Sequence, residues 1–168
     1  ALGGVVNFRT RLGRDVDGLD AGVTAGSYGY QNERLHLGKR TKSFEYSAFV
    51  SHIRADGYTY HNGYKTVTEN VVGRFYLDES RTVIFKFLNN DMEAQVPSRL
   101  SRSQMDADPR NAGITNVTGV GNVTAQQASQ SRRDRRTIVG GRYEQQLDPE
   151  TGWRFLGEYD VKDINQTF

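Results

Sequence analysis

Cysteine is absent from this chain of 168 residues, and proline occurs only 3 times. Without cysteine the chain has neither a disulfide framework nor a thiolate metal site. No apolar run approaches the roughly 20 residues that a membrane-spanning helix needs. An excess of charge is lacking too, because 22 basic and 20 acidic residues leave a net charge of +2. Such a weak field gives no reason to expect a nucleic-acid partner.

Glycine and aromatic residues, in contrast, are plentiful, with 18 glycines, 9 tyrosines and 8 phenylalanines. Glycine favours turns, and aromatic side chains favour strands over helices. Apolar and polar residues alternate along much of the chain, which predicts antiparallel strands with one apolar face. The apolar positions of these predicted strands include Leu19, Ala21, Val23, Ala25, Leu35, Leu37, Phe44, Tyr46, Ala48, Val50, Val83, Phe85, Phe87, Val139, Tyr143, Phe155, Tyr159 and Val161.

The predicted connections differ in length at the two ends of these strands. Short turns are predicted near residues 39–42, 78–80 and 148–152, whereas the opposite side carries connections of variable length, including a loop of residues 89–136. Short turns at one end and long loops at the other are typical of outer-membrane barrels, whose long loops lie outside the cell. We therefore expect an all-β fold, an antiparallel transmembrane β-barrel in the bacterial outer membrane.

The end of the sequence predicts that this barrel is incomplete. A closed barrel pairs its last strand with its first, which leaves no free strand edge. Residues 165–168 directly follow a predicted strand, and no closing element comes after them. We expect a fragment with roughly seven strands of a larger barrel.

Several motifs occur in order along the chain. Residues 3–11, GGVVNFRTR, come first. The later motifs are Gly26-Ser27-Tyr28-Gly29, Asp56-Gly57-Tyr58, Pro97-Ser98-Arg99-Leu100-Ser101, Gln104, Asp108-Pro109-Arg110, Ala112-Gly113, Gly152-Trp153, Tyr159, Asp163 and Gln166-Thr167-Phe168. Their order and spacing resemble the TonB-dependent receptors of Gram-negative outer membranes, especially the ferric-siderophore receptors.

This resemblance implies a plugged barrel of about 22 strands, which imports a ferric siderophore or similar iron chelate with energy from an inner-membrane TonB complex. Residues 1–11 would be the end of the plug domain. Residues 12–168 would be the N-terminal part of the barrel, with residues 89–136 as a long extracellular loop. The TonB complex would be contacted through a missing N-terminal part, and outer-membrane lipid would surround the strands.

Tyrosine, histidine and arginine side chains in two predicted outer loops are the candidate ligand-binding residues. Aromatic rings stack on flat chelators, and guanidinium groups complement the negative charge of most ferric chelates. Single tyrosines near a membrane boundary also belong commonly to an interfacial aromatic girdle, and loop arginines are commonly just solvated. The candidates are Tyr58, Tyr60, His61 and Tyr64 in the second outer loop and Arg99, Arg102 and Arg110 in the third.

The sequence predicts no enzyme, no cofactor and no metal site. His36, His52 and His61 lie on separate predicted strands or loops without metal-ligand spacing, and no Ser/His/Asp arrangement is recognisable. One alternative is a small complete outer-membrane barrel with an adhesion or structural role, in which residues 3–11 form an eighth strand. Another is a soluble ligand-binding barrel, which the outward apolar rows disfavour.

Overall fold

The computed structural model describes residues 11–167, and most of these residues lie in antiparallel strands. The described residues also form two short helices, one before the first strand and one between the fifth and sixth strands. In chain order the elements are α1 (Gly13–Val16), β1 (Gly18–Ala25), β2 (Gln31–Arg40), β3 (Phe44–Ala55), β4 (Tyr64–Tyr76), β5 (Arg81–Gln95), α2 (Arg102–Ala107), β6 (Ile114–Val117), β7 (Gly121–Thr124), β8 (Ser131–Gln146) and β9 (Gly152–Thr167). The expected all-β, antiparallel class is confirmed.

Seven of the strands form one sheet in the order β1-β2-β3-β4-β5-β8-β9, and β6 pairs with β7 in a separate hairpin. Every neighbouring pair in the large sheet is antiparallel, so the chain runs up and down across it. Within residues 11–167, β1 and β9 are edge strands that do not pair with each other. The sheet is therefore open at both edges.

The two faces of this sheet differ in composition because side chains alternate along each strand. The register carries one apolar row across five strands, from Ala48 through Val71, Phe87 and Val139 to Tyr159. We call this side the apolar face. It comprises the even-numbered residues of β3 and the odd-numbered residues of β1, β2, β4, β5, β8 and β9. The remaining strand positions form the polar face.

Burial of the two faces is the reverse of what a soluble sheet shows. On the apolar face Leu35, Phe85 and Val139 are 37%, 43% and 38% exposed. On the polar face Glu45 and Ser47 are only 2% and 3% exposed. The polar face is thus the enclosed side of the sheet, and the apolar face is the open side.

Helix α1 packs against the polar face near the start of β3. The Arg14 N–H donates to Glu45 Oε1 at 3.0 Å, and Gly13 approaches the Tyr46 carbonyl too closely for any Cβ to fit. Gly38 of β2 leaves room for the Val16 side chain in the same way. The chain therefore enters the sheet from its enclosed side.

Short turns and long connections lie at opposite ends of the strands, as expected. Residues 41–43, 77–80 and 147–151 form the turn end, where the Asp78 and Asp148 carboxylates each accept backbone N–H groups of their own turn. The connections at the opposite end, the loop end, comprise residues 26–30, 56–63 and 96–130.

The predicted loop of residues 89–136 is shorter than expected, because β5 continues to Gln95 and β8 begins at Ser131. The apolar alternation stops before these strand ends, but the backbone pairing continues and opposite charges face each other across it. Arg133, for example, donates to both carboxylate oxygens of Asp91. The remaining connection, residues 96–130, has its own structure in α2 and the β6–β7 hairpin.

The predicted plug end, residues 1–11, lies outside the described residues except for Arg11, and so does Phe168 of the closing motif. The eighth strand of the small-barrel alternative falls in the same segment. Among the described residues, no helix is long and apolar enough to cross a membrane.

Candidate functional site

Three connections at the loop end form the candidate site: the first loop (residues 26–30), the second loop (residues 56–63) and the third loop (residues 96–130). In the first loop, Tyr28 and Gly29 both have positive φ, 58° and 68°, which suits a tight hairpin between twisted strands. The Asp56 N–H donates to the Tyr28 carbonyl at 2.8 Å. A Cβ at Gly29 would collide with the Asp56 carboxylate, so any larger residue there would displace that side chain and would also adopt an unfavourable positive φ.

Exposed tyrosine rings of the first two loops meet an arginine of the third. The Tyr28 and Tyr58 rings pack edge to face with centroids 5.5 Å apart. The Arg110 guanidinium lies over the Tyr60 ring, with Cζ 5.0 Å from the ring centroid. The three tyrosine side chains are 45–52% exposed. Tyr28, Tyr58, Tyr60 and Arg110 are the Tyr–Arg cluster.

Backbone hydrogen bonds hold Arg110 of this cluster against the second loop. Its Nε–H donates to the Tyr58 carbonyl at 3.1 Å, and its own carbonyl accepts the Tyr60 N–H at 2.7 Å. The Asp108 carboxylate accepts the Arg110 N–H at 2.9 Å. The guanidinium is therefore positioned by the loop backbone before any ligand arrives.

Gln130, which is only 7% exposed, fastens the end of the third loop. Its carbonyl accepts the Val96 N–H at 3.0 Å and lies 2.6 Å from His61 Nε2. Its side chain accepts from the Ser98 hydroxyl at 2.8 Å and donates to Thr115 Oγ1 at 3.2 Å. The Gln130 side chain thus connects Ser98, near the start of the third loop, to Thr115 of β6, and its carbonyl contacts His61 of the second loop.

Four of the seven predicted site residues lie apart from the Tyr–Arg cluster. His61, whose φ is 57°, has its ring nitrogen against the Gln130 carbonyl. Tyr64 is the first residue of β4 and lines a surface cavity. Arg99 lines a second cavity, with Ile114 and Gln130. Arg102 is highly exposed on α2 and donates to Asp106 at 3.0 Å. Of the predicted residues, the structure brings together Tyr58, Tyr60 and Arg110.

Sequence reasoning missed two residues of this region, Tyr28 and Gln130. Tyr28 stood in a recognised turn motif, so its place at the loop end followed from the sequence, but its contact with Tyr58 did not. Gln130 ends a polar run of alanine, glutamine and serine. Nothing in that run distinguishes it from Gln126 or Gln127.

The arrangement combines exposed aromatic rings with a positioned cation. Rings present flat apolar surfaces, and a guanidinium offers several fixed donors to an anion. Within residues 11–167, no group of three or more histidine, aspartate and glutamate side chains is placed to hold a metal ion. The Tyr–Arg cluster can present its rings to a flat group and its guanidinium to an anion.

Two turn carboxylates lie at the opposite end of the sheet from this cluster. The Arg81 guanidinium, which donates to Asp78 Oδ2 at 2.6 Å, and hydrogen bonds from Ser80 lower the pKa of Asp78 to about 2. The backbone N–H groups of Glu150 and Thr151 lower the pKa of Asp148. Both turns are therefore stabilised by an ionised carboxylate.

Comparison with known proteins adds no identification to this geometry. No protein-family model matches the chain, and no curated protein matches its sequence.

Proposed function

We propose that this chain is part of a TonB-dependent outer-membrane transporter that binds and imports a ferric siderophore or similar iron chelate. The observation that carries the proposal is the reversed burial of the sheet, whose apolar face is open and whose polar face is enclosed. Lipid solvates an open apolar face, and a barrel interior accommodates an enclosed polar one.

The depth of the apolar face suits a membrane. On β3 the apolar side chains extend from Phe44 to Val50, and on β9 from Trp153 to Val161. At about 3.4 Å per residue these stretches measure roughly 20 and 27 Å along the strand. On β4 and β5 the apolar face ends towards the loop end at Glu69 and Asn89. The Asn89 side chain donates to the Glu69 carboxylate at 3.3 Å.

Aromatic side chains gather at the lower edge of the same face, next to the turn end. Phe44 and Phe75 pack with ring centroids 4.7 Å apart, and the Trp153 and Phe155 rings are stacked at 6.5 Å. Tyr143 joins them, 6.4 Å from Phe155. Such a row matches the aromatic girdle at the boundary of membrane barrels.

Within residues 11–167 the sheet has open edges that could pair with further strands of a larger barrel. The outer hydrogen-bonding edge of β9 (Gly152–Thr167) pairs with no other described strand. Helix α1 lies against the enclosed face at the turn end, where a chain leaving a plug domain would enter the barrel wall.

The Tyr–Arg cluster is the proposed entry site for the chelate. Its rings can stack on the flat groups of a chelator, and Arg110 can pair with the anionic charge of the ferric complex. All four residues lie at the loop end, which is the extracellular end in this proposal. This makes Tyr58, Tyr60 and Arg110 the binding residues among those predicted from the sequence.

The proposal is tested in the source cells by deleting the gene that encodes this chain. Uptake of radioactive iron is then measured with catecholate, hydroxamate and carboxylate chelates supplied separately. We expect uptake of at least one chelate to fall to background and to return when the gene is restored. Unchanged uptake of all the chelates would contradict the transport function. Recovery of the protein in the soluble fraction would contradict the membrane location itself.

A further inference from the structure

Asparagine is followed by glycine at a single position of the chain, Asn62-Gly63, where the second loop meets β4. The Asn62 side chain is exposed, and no hydrogen bond within residues 11–167 holds it. Gly63 has no side chain that could shield its backbone nitrogen from the asparagine amide. The pair therefore combines the residue types and the exposure that favour deamidation.

Deamidation of asparagine needs only the chain itself and water. The Gly63 nitrogen loses its proton and attacks Cγ of Asn62, so that a new C–N bond forms, the Cγ–Nδ2 bond breaks and ammonia leaves. The resulting succinimide ring then adds water at either of its carbonyl carbons. Opening at one carbon gives aspartate. Opening at the other gives isoaspartate, in which the main chain passes through the former side chain.

Gln95, the last residue of β5, holds the nitrogen that would make this attack. The Gly63 N–H donates to Gln95 Oε1 at 3.2 Å, and the Gly63 carbonyl accepts the Gln95 N–H at 2.7 Å. The first distance is at the long end of the usual range for a hydrogen bond, so this restraint is weak. The attack on Asn62 requires the Gly63 N–H to leave Gln95.

From this geometry we propose that Asn62 is a modification site, which deamidates to aspartate or isoaspartate at a rate that Gln95 restrains. The product places a carboxylate two residues from Tyr60 of the Tyr–Arg cluster. Isoaspartate also lengthens the main chain next to the Asn62 carbonyl, against which Gly57 packs too closely for any Cβ to fit. That contact leaves no room for a longer chain, so the modification loosens the base of the second loop.

The test incubates the full chain, folded in detergent micelles, in heavy-oxygen water at mildly alkaline pH. Peptide mapping by mass spectrometry follows the replacement of NH2 by OH, and the heavy oxygen marks conversions that occur during the incubation. We expect Asn62 to convert while Asn111 and Asn116 stay intact in the same digest. These two asparagines precede Ala112 and Val117, whose side chains shield the backbone nitrogen.

Three variants test the restraint by Gln95. Gln95→Ala frees the Gly63 N–H and should convert Asn62 about fivefold faster, the factor that corresponds to one neutral hydrogen bond. Gln95→Glu offers a charged acceptor and should convert Asn62 about fivefold more slowly than the unmodified chain, a change that loss of folding cannot produce. Gln145→Ala, at the turn end of β8, is the control and should leave the rate unchanged. In denaturant all four chains should convert at the same rate, because no acceptor is then held near Gly63.

An intact Asn62 in both the unmodified chain and Gln95→Ala would overturn the modification site. Equal conversion of Asn62, Asn111 and Asn116 would overturn it too, because general unfolding would then explain the reaction. Equal rates in the folded unmodified chain and in both Gln95 variants would contradict the restraint. Iron uptake and membrane location are measured separately, so each of these results leaves the proposed function intact.

Discussion

The Tyr76 hydroxyl donates to Glu45 Oε2 at 2.7 Å, across the enclosed face of the sheet. Glu45 is also bound by the Arg14 N–H, and the guanidinium groups of Arg14 and Arg74 lie 3.7 and 3.9 Å from its oxygens. This carboxylate is 2% exposed, so its stability depends on these contacts. It joins α1 to the sheet.

Replacing Glu45 with alanine should therefore release α1 from the sheet. The change leaves the Arg14 N–H and the Tyr76 hydroxyl without their acceptor, a loss of roughly 3 kcal/mol for a hydrogen-bonded buried charge. Trypsin cleavage after Arg14 should become much faster, as followed by mass spectrometry. Glu150→Ala, in an exposed turn, is the control and should leave cleavage unchanged. Equal cleavage rates in both variants would show that Glu45 does not hold α1.

Gln130→Ala should loosen the third loop without unfolding the sheet. The variant loses the hydrogen bonds to Ser98 and Thr115, each a contribution of about 1 kcal/mol. Limited trypsin digestion should then cleave the third loop roughly tenfold faster or more. Gln126→Ala is the matched control, because the Gln126 side chain is exposed and makes no hydrogen bond within the described residues. Loop cleavage that is equally slow in both variants would contradict this role of Gln130.

The strands of this fold were largely predictable, whereas the loop contacts were not. Alternation is local, so Phe44 to Val50 and Val83 to Phe87 were assigned to the correct faces from the sequence alone. The ends of β5 and β8 were missed because Asp91 and Arg133 break the apolar pattern there. Pairing between them, 42 residues apart in sequence, extends the strands. No local rule reports such a distant pair.

In the candidate site, too, local sequence predicted which residues lie in the loops but not which of them contact each other. Tyr58, Tyr60 and Arg110 were selected by residue type and loop position, and they do lie together. Arg102 is also an arginine of the third loop, but its side chain pairs with Asp106, four residues further along the same helix. The direction of a loop side chain depends on helix start and end points that Ser101 and Asp108 set, and on long-range contacts. Residue type alone specifies neither the helix ends nor the long-range contacts.

The Asp78 turn should make stability depend on pH at the acidic end. Its pKa of about 2 lies below the ordinary value of 3.8, so the folded turn favours the ionised carboxylate. The contribution is complete above about pH 4 and is lost as the pH falls towards 2. Carboxyl NMR of the chain in detergent micelles should report this low pKa. Arg81→Gln should raise it, because Arg81 is its main cause, and an unchanged pKa in that variant would contradict the assignment.

If the chain binds a ferric chelate as proposed, Arg110→Ala should weaken that binding, because the guanidinium over Tyr60 supplies both charge and a flat surface. A cation–π contact that becomes desolvated contributes about 1–2 kcal/mol, which corresponds to roughly 5- to 30-fold in the dissociation constant. The structure offers a matched control: Arg40 lies over the Tyr76 ring at 5.2 Å, at the turn end of the sheet. Arg40→Ala removes the same kind of contact and the same charge.

The two variants are compared by titrating cells that display the intact receptor with the chelate found in the uptake experiment and measuring bound iron. Arg110→Ala should shift the titration while Arg40→Ala leaves it in place. Arg110→Lys should bind between the unmodified protein and the alanine variant, because lysine keeps the charge but loses the planar fork. If Arg40→Ala and Arg110→Ala weaken binding equally, the effect belongs to net charge or folding, and the Tyr–Arg cluster is not where the chelate docks.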